Sequence, residues 1–511
     1  MQKEIFEFNQ KAKTRLGIVF LVGVGLLLLG FLTRNLGKHE AGAEGHGDEH
    51  AVVVEQDSGV AHTVSFQEDA HQEGAHEGDN HHEDDATHAE SDDHHDEGSA
   101  HADDHHTDSH AEEHHGDGGH AAATGHDEGN DHGGGHAEAS WSKRLGVDLW
   151  INHIYWFGIA IVGLFFFAIQ YAAQAGWSAQ VKRVAFAFGG WLPIAFVVGV
   201  VLFFVFGHDI FHWTHSDLYT KGDDHFDEII NGKAGFFYYP LSKGGLGAVF
   251  FLARMVIFFG VWVLIMRKMR SLNEQEDKLG GDDWFFKLRK WSAIFLVFFA
   301  VTSSVSAWDW VLSIDTHWFS TMFGWYVFAS WFVTGLAATT LVVVFLREAG
   351  YLPNVTADHL HDLGKFMFAF SIFWTYVWFS QFLLIYYANI PEETIYYVER
   401  LRNDHFAPFF FVNLIMNFIL PFLVLMTRDA KRHTMFLKVV SVLIMAGHWL
   451  DFYLMMTPGT VGESGAIGFT ELGTTMIFGA AFIFVALRTL TKLPLVGKND
   501  PMVVESMHHH T

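Results

Sequence analysis

Long runs of apolar residues recur along the chain, and the charged residues gather between them. Each run holds about 18 residues or more, enough for a helix to cross a hydrocarbon core of about 30 Å. Aromatic residues lie near many run ends, as they do where a membrane meets water. The pattern predicts an all-α integral membrane protein with about ten transmembrane helices, at 16–33, 149–175, 183–206, 244–266, 291–312, 322–346, 362–388, 407–426, 435–456 and 470–490.

A long insert after the first run has a different composition. Residues 39–138 contain 29 of the 58 acidic residues and 21 of the 35 histidines, but no Lys or Arg. The formal net charge of −26 therefore belongs to this insert, and it indicates no nucleic acid partner. Because aliphatic residues are few, the insert is predicted to be disordered. Its side chains suit Zn²⁺ or Cu²⁺, but without fixed ligand spacing a solvated loop that binds metal incidentally is favoured.

Lys and Arg concentrate in the loops that share a side with the N-terminus. By the positive-inside rule, both termini are expected in the cytoplasm and the insert on the opposite, outer side. The first run resembles a signal peptide, but "TRNLGKHE" follows it without a small-residue cleavage site. An uncleaved signal-anchor helix is therefore favoured over a cleaved signal.

A polar stripe runs along the fifth predicted helix. Thr302, Ser306, Asp309 and Ser313 recur at a spacing that places them on one helical face. A charge at mid-bilayer costs at least about 2.5–3.5 kcal/mol, so such a residue usually faces the protein interior or a wet cavity. Asp309 is therefore a candidate for a proton or quinol route.

His448 and Asp451 are three residues apart in "AGHWLDFYLMM", on one face of the ninth predicted helix. A carboxylate can fix the tautomer of an imidazole for proton transfer, which favours a function for this pair. Arg254 lies about 15 Å along the fourth predicted helix. It would balance Asp309 or Asp451 on the route, and the alternative is a purely structural ion pair.

Histidines also cluster where the third predicted helix reaches the outer side. His208, His212 and His215 in "GHDIFHWTHSD" would share one helical face, with Asp209 beside them. His208, His212 and Asp209 are candidates for a quinol or proton path. Histidines at helix ends often only cap carbonyl groups, and that alternative stays open.

The short outer loop after the fifth helix holds Asp315 and His317, for which a turn-capping role and a proton exit are equally consistent with the sequence. The inner side has fewer ionisable groups within reach of the helices. Asp362 and Lys365 begin the seventh predicted helix and Asp429 follows the eighth, so these three could serve an inner half-path.

The chain has no cysteine, which excludes cysteine-ligated iron–sulfur clusters and thioether-linked haem within it. A bis-histidine haem is disfavoured because only His448 lies clearly inside a span. A quinol needs an apolar slot and a base that accepts the protons released on oxidation. The outer carboxylates and histidines beside aromatic residues meet these needs, and no metal site is predicted among them.

Two other functions stay open at this point. A metal-ion or proton transporter with a metal-capturing loop would explain the insert and the His208/His212 pair. Against it, no pair of broken helices is evident at the membrane midplane. A purely structural membrane anchor would tolerate substitution of every candidate residue.

Three long motifs resemble one known family: "SAWDWVLSIDTHWFSTMFGWYVFASWF", "HDLGKFMFAFSIFWTYVWFSQFLLIYYANIPEET" and "NFILPFLVLMTRDAKR". They are similar to the second quinone-binding-type membrane subunit of bacterial alternative complex III, a quinol:cytochrome c (or oxidase) oxidoreductase. The resemblance covers the first helix and most of 141–495. It extends to the polysulfide-reductase-type membrane anchors, and it implies two four-helix bundles formed by helices 2–5 and 6–9.

The resemblance also implies a cofactor, partners and a location. The cofactor would be a quinol, with menaquinol the expected form, and this chain would hold no haem or iron–sulfur cluster. Its partners would be a homologous membrane subunit, an iron–sulfur subunit, multihaem and monohaem cytochrome c subunits, small membrane subunits and lipid. The location would be the bacterial inner membrane, with the insert in the periplasm.

The expected divisions of the chain follow from the helices and the resemblance together. They are 1–38 for the N-terminal signal-anchor helix, 39–140 for the insert, 141–320 and 321–460 for the two bundles, and 461–511 for the last helix and the cytoplasmic tail.

Overall fold

A computed structural model describes residues 5–43, 139–241 and 243–510, apart from the side chains of 34–43 and Glu463. Most of the predicted disordered insert, 44–138, lies outside the described residues. In the described ranges the chain contains ten helices that are long and apolar enough to cross a membrane, and it contains no β-strand. The predicted all-α, multi-pass membrane architecture is confirmed.

The ten long helices are numbered here in chain order: α1 Gln10–Ala43, α2 Trp141–Ala172, α3 Lys182–Ile210, α4 Val249–Leu279, α5 Asp282–Trp310, α6 Phe323–Glu348, α7 Ala357–Ala388, α8 Ala407–Val424, α9 Thr434–Met456 and α10 Phe469–Leu490. Each corresponds to one predicted apolar run.

The boundary of α4 differs most from its predicted run. The apolar run starts at residue 244, but α4 begins at Val249 and continues through polar residues to Leu279. Gly244 and Gly245 have φ values of 91° and 76°, which lie in the left-handed region and cannot continue into a right-handed helix. Hydrophobicity therefore located this helix, whereas glycine conformation set where it begins.

The core lies around α2 and α6, the two most buried of the long helices. α2 packs against α3, α5, α6 and α10, and α6 packs against α5, α7 and α9. By contrast, α1 is mostly exposed and packs along α10. At this contact, a Cβ on Gly473 would lie 2.8 Å from the backbone oxygen of Gly23, so the two helices meet backbone to backbone.

Short helices connect the long ones at both ends of the molecule. We call the end at which α2 begins the upper end, and the end at which α2 terminates the lower end. Helices Glu228–Tyr238, Pro391–Leu401 and Pro458–Val461 lie in upper connections. At the lower end, the C-terminal tail folds back, and Ser506 Oγ donates to the backbone oxygen of Trp177 at 2.8 Å.

Candidate functional site

Asp451 on α9 is completely buried and accepts hydrogen bonds from uncharged donors on three other helices. Ser330 Oγ on α6 and Trp374 Nε1 on α7 donate to Oδ2 at 2.7 and 3.0 Å. Asn413 Nδ2 on α8 donates to Oδ1 at 2.9 Å. The hydroxyl group of Tyr326 on α6 also donates to Oδ1. Among the described residues no Lys or Arg lies within ion-pair distance of Asp451. Dipoles rather than a cation therefore surround this carboxyl group.

His448 lies one helical turn before Asp451, and it is also completely buried. Its Nδ1 is 3.6 Å from Oδ2 of Asp451, slightly beyond hydrogen-bond distance. Neither ring nitrogen has a hydrogen-bond partner within the described part of the chain. The ring of Trp374 packs edge-on against the imidazole, with 5.3 Å between centroids. The imidazole thus lies beside the carboxylate with both of its nitrogens available for hydrogen bonding.

A chain of two amides leads to Asp451 through α8. Asn417 Nδ2 donates to Asn413 Oδ1 at 2.6 Å, and Asn413 in turn donates to Asp451. Residues Ile415–Ile419 of α8 are π-helical, a local rearrangement that is frequent at functional sites. A Cβ on Gly447 of α9 would lie 2.2 Å from Asn417 Oδ1, so only glycine leaves room for this amide.

Sequence reasoning missed Asn413 and Asn417. Their four-residue spacing inside the apolar stretch "FFFVNLIMNFIL" was an available signal, because two amides on one face of a membrane helix need polar partners.

Asp309 on α5 has a different environment, because a guanidinium group binds it directly. Arg254 on α4 donates from Nε to Oδ2 and from Nη2 to Oδ1, both at 2.7 Å. Both residues are buried, and the four residues of the predicted polar stripe are all buried with them. Of the two carboxylates considered for Arg254, the structure pairs it with Asp309. This bidentate geometry is the strongest form of an Arg–carboxylate contact.

An aromatic cavity of about 350 Å³ lies at the upper end beside this pair. Its volume falls within the range of about 300–1,000 Å³ that is typical of small-molecule sites. The rings of Phe236 and Phe319 are 40% and 63% exposed and leave the cavity open to the surroundings. Phe236 also lies over the guanidinium of Arg254, 4.2 Å from its ring centroid, so one ring separates the cavity from the ion pair. The remaining walls come from Lys233, Phe237, Trp308, Leu312, Ser313, Thr316, Trp318, Ser320 and Thr321.

Arg400, which sequence reasoning also missed, connects the surroundings of Asp451 to the upper end. Its Nη2 donates to Asp315 Oδ2 at 2.9 Å, and its Nε donates to the backbone oxygen of Leu454 at 2.9 Å. A cavity of about 10 Å³, close to the space that one water needs, lies between Arg400 and two donors to Asp451, Tyr326 and Asn413. Burial raises the pKa of Asp315, and the adjacent Arg400 opposes that rise.

The upper histidines cluster through a turn rather than along a helix, which corrects one expectation. The sequence placed His208, His212 and His215 on one helical face, but α3 ends at Ile210 and His212 begins a 3₁₀ turn. The turn still brings the rings together, with 4.0 Å between the centroids of His208 and His215 and 5.4 Å between those of His212 and His215. Asp209 is partly exposed next to His208.

His317 extends this cluster and joins it to an acid. Its Nε2 lies 2.5 Å from Oδ2 of Asp227, the residue that caps the Glu228–Tyr238 helix through the amide of Ile230. Burial raises the pKa of Asp227, but the contacts with Ile230 and His317 outweigh it and leave that pKa lowered. Burial and the neighbouring histidines lower the pKa of His212 and of His215. The cluster is a partly exposed surface feature, distinct from the buried Asp451 site.

At the lower end, the structure joins two of the three inner candidates. Lys365 Nζ lies 2.5 Å from Asp362 Oδ1, and His509 Nε2 of the C-terminal tail lies 2.5 Å from Asp362 Oδ2. Asp429 is exposed in the first turn of the short Arg428–Arg432 helix. Asp362 and Lys365 therefore form a unit with the tail, whereas Asp429 lies on the surface.

The lower end also contains a second buried network of charged side chains. Lys182 Nζ lies 2.5 Å from Asp500 Oδ2 of the tail, and Arg183 donates to both carboxylate oxygens of Asp277 at 2.7 and 3.0 Å. The first pair fastens the C-terminal tail to α3, and the second joins α3 to α4.

Among the described residues no three His, Asp or Glu side chains are grouped so that they could hold a metal ion. Compared with known proteins, the chain matches no family model and no curated protein. The candidate site must therefore be interpreted from its own geometry.

Proposed function

We propose that this chain is the membrane subunit of a quinol:cytochrome c (or oxidase) oxidoreductase, and that it contributes a quinol-binding or proton-conducting path on the periplasmic side. The observation that supports this best is Asp451, a completely buried carboxyl group with four uncharged donors and an unpartnered imidazole beside it. A buried carboxyl group beside an imidazole with free nitrogens is the arrangement that a proton relay requires.

The aromatic cavity is the proposed place for the quinol headgroup. Quinol oxidation releases two protons and two electrons, so the headgroup needs hydrogen-bonding groups and a nearby acceptor for protons. Ser313 and Thr316 supply hydroxyl groups in the wall, and Phe236 separates the cavity from the Arg254–Asp309 pair. The electrons would leave through redox centres on partner subunits.

The proposed proton route starts at His448 and Asp451. From there Tyr326 and the water-sized cavity lead to Arg400 and Asp315 at the upper end. Arg254 and Asp309 would tune the electrostatic potential at the cavity. His208, His212 and Asp209 would provide the surface where protons reach water, and Asp362, Lys365 and Asp429 remain the proposed inner half-path.

The proposal includes the finer architecture and the location. Helices α2–α5 and α6–α9 are taken as two four-helix bundles, an arrangement supported by their neighbour contacts. The upper end would face the periplasm of a bacterial cell and both termini the cytoplasm. The partners would be the homologous membrane subunit, the iron–sulfur subunit, the multihaem and monohaem cytochrome c subunits and the small membrane subunits named above.

The test is purification of the tagged chain from its own membrane, followed by assay of the assembled complex. The expected result is copurification with haem-containing subunits and menaquinol oxidation that releases protons in vesicles. Asp451→Asn and Asp309→Asn should each slow turnover or proton release at least several-fold, whereas Asp404→Asn, an exposed acid at the same end, should not. Unchanged turnover and proton release in both buried variants would refute the route, and purification without any haem subunit would refute the proposed complex.

A further inference from the structure

A second group of ionisable side chains lies at the upper end, between α2, α9 and α10, and the proposed function does not use it. Arg144 Nε donates to Glu471 Oε1 at 2.5 Å, and the Arg144 guanidinium also donates to the backbone oxygen of Ala466. The side chain of Arg144 is 15% exposed and that of Glu471 only 1%. The arginine therefore forms the only charged contact of Glu471 within the described residues, at the edge of the protein interior.

A second carboxyl group shares this arginine. Asp148 lies one turn after Arg144 on α2 and is 3% exposed. Asn152, one turn further along, donates to Thr474 of α10 at 3.2 Å, so Asp148 lies between two contacts of α2 with the start of α10 and faces Glu471. Oδ2 of Asp148 has no N–H or O–H partner in the described part of the chain. If both carboxyl groups were ionised, the single arginine would leave one negative charge unbalanced in the apolar interior, and neighbouring like charges disfavour double ionisation. One proton on the pair removes that charge.

Glu471 is held in place independently of Asp148. It closes a capping box at the start of α10, where its Oε2 accepts from the amide of Gly468 at 2.8 Å. An N–H donor and a guanidinium thus occupy both of its oxygens, whereas Oδ2 of Asp148 has no such partner. Asp148 is therefore the acid of the two with an oxygen available to carry a proton.

Tyr453 of α9 faces the same pair. Its hydroxyl group is completely enclosed, has no hydrogen-bond partner in the described ranges, and interacts electrostatically with Asp148, Glu471 and Arg144. An unpaired buried hydroxyl costs about 1–3 kcal/mol unless a group or a water satisfies it. Its position next to two acids that share one cation indicates a site that exchanges protons or a protonated water.

We propose that Asp148 and Glu471 form a proton-binding site that holds one proton at neutral pH. Arg144 balances the remaining negative charge and forms the opening toward the upper surface. The charged and titratable groups that face the site are Arg144 from α2, Glu471 from α10 and Tyr453 from α9. With one proton on Asp148, the positive charge of Arg144 and the negative charge of Glu471 cancel, so the site is neutral in the apolar interior.

A polar connection joins this site to α9. Asn152, one turn below Asp148, accepts from Trp449 Nε1 at 3.1 Å, and its Nδ2 donates to Thr474 Oγ1 of α10 at 3.2 Å. Trp449 directly follows His448 in the chain. The proton-binding site does not depend on quinol oxidation, and it would hold equally if the chain served another membrane complex.

Infrared difference spectroscopy of the purified protein in its membrane complex tests the site directly. A protonated carboxylic acid has a C=O stretching band that an ionised carboxylate lacks. We expect Asp148→Asn to remove the band of one acid at pH 7, and Glu471→Gln to remove the same band, because Asp148 would then be ionised by Arg144. The double variant should lose no more band intensity than either single variant. An amide at position 148 can still donate to Glu471, so folding should be preserved.

Asp277→Asn is the matched control. Arg183 donates to both oxygens of that acid at the lower end, away from the proton-binding site, so the carboxylic acid band should not change. Retention of the full band in both Asp148→Asn and Glu471→Gln would overturn the proposal. Loss of the band intensity of two acids in the double variant would also overturn it. Because the readout is spectroscopic, a complex that proved to have no quinol activity would leave this test intact.

Discussion

Nδ1 of His448 lies 3.6 Å from Oδ2 of Asp451, and neither side chain has any exposed surface. Asp309 is another carboxylate that the sequence places inside a membrane span. It is instead held by Arg254, which donates to it at 2.7 Å. One acid is thus surrounded by neutral donors and an imidazole, and the other by a permanent cation. The two acids therefore have different partners to lose when they are replaced, and this leads to distinct expectations for each.

Replacement of Asp451 should distinguish lost charge from lost hydrogen bonds. Asp451→Ala leaves Asn413 and Tyr326 without their acceptor, and each unpaired buried group costs about 1–3 kcal/mol. Ser330 and Trp374 keep second acceptors, the backbone oxygen of Tyr326 and Ser330 Oγ. Asp451→Asn keeps one acceptor oxygen and should cost clearly less. We therefore expect the melting temperature to fall from the wild type to Asp451→Asn and further to Asp451→Ala. Thermal unfolding in detergent, followed by tryptophan fluorescence, measures it. The exposed Asp404→Ala gives the baseline, and equal melting temperatures for the two Asp451 variants would contradict the hydrogen-bond account.

The ion pair of Arg254 and Asp309 predicts a non-additive response. Removal of one partner leaves an unpaired buried charge, which typically costs about 3–5 kcal/mol. Arg254→Met and Asp309→Asn should therefore each destabilise strongly, whereas the double variant should recover much of the loss. Chemical unfolding of the four proteins forms the double-mutant cycle. Simple addition of the two single effects would show that the pair is not coupled.

Gly447 is expected to be essential for the amide chain on α8. A Cβ at this position would lie 2.2 Å from Asn417 Oδ1, so Gly447→Ala should displace Asn417 and weaken its contact with Asn413. We expect a lower melting temperature and, in the assembled complex, slower turnover. Gly260→Ala on the exposed face of α4 meets open space and serves as the control. An unchanged melting temperature and turnover in Gly447→Ala would show that α8 can shift without disturbing Asp451.

The hydrophobic pattern located every long helix because apolar length alone determines whether a helix can span a membrane. The same pattern identified Asp309, Asp451 and His448, since a charge inside an apolar run is conspicuous. The start of α4 was missed because glycine conformation, rather than hydrophobicity, ended the preceding loop. The turn after Ile210 was missed for a related reason, because the histidine spacing fits a helix equally well.

The partners of those residues were harder to predict. Asn413, Asn417 and Arg400 become significant only once α8 and the Pro391–Leu401 helix pack against α9. Asp148 and Glu471 are more than 300 positions apart in the chain, and each looks like an ordinary charge near a helix start. A single sequence records which residues are costly to bury, but not which of them meet.

The upper histidine cluster predicts a pH-dependent stability. Burial and neighbouring histidines lower the folded-state pKa of His212 and His215 from the ordinary value of 6.5, so the unfolded chain binds protons more readily. Stability should therefore be complete above about pH 6.5, fall as the pH drops through the lowered pKa values, and level off below them. Because both rings are partly exposed, we expect less than about 1 kcal/mol from each. His212→Gln and His215→Gln should flatten the difference in melting temperature between pH 7.5 and pH 5, whereas His225→Gln, whose side chain is 72% exposed, should not. A cluster variant with the same pH dependence as the wild type would show that these rings do not titrate differently in the folded protein.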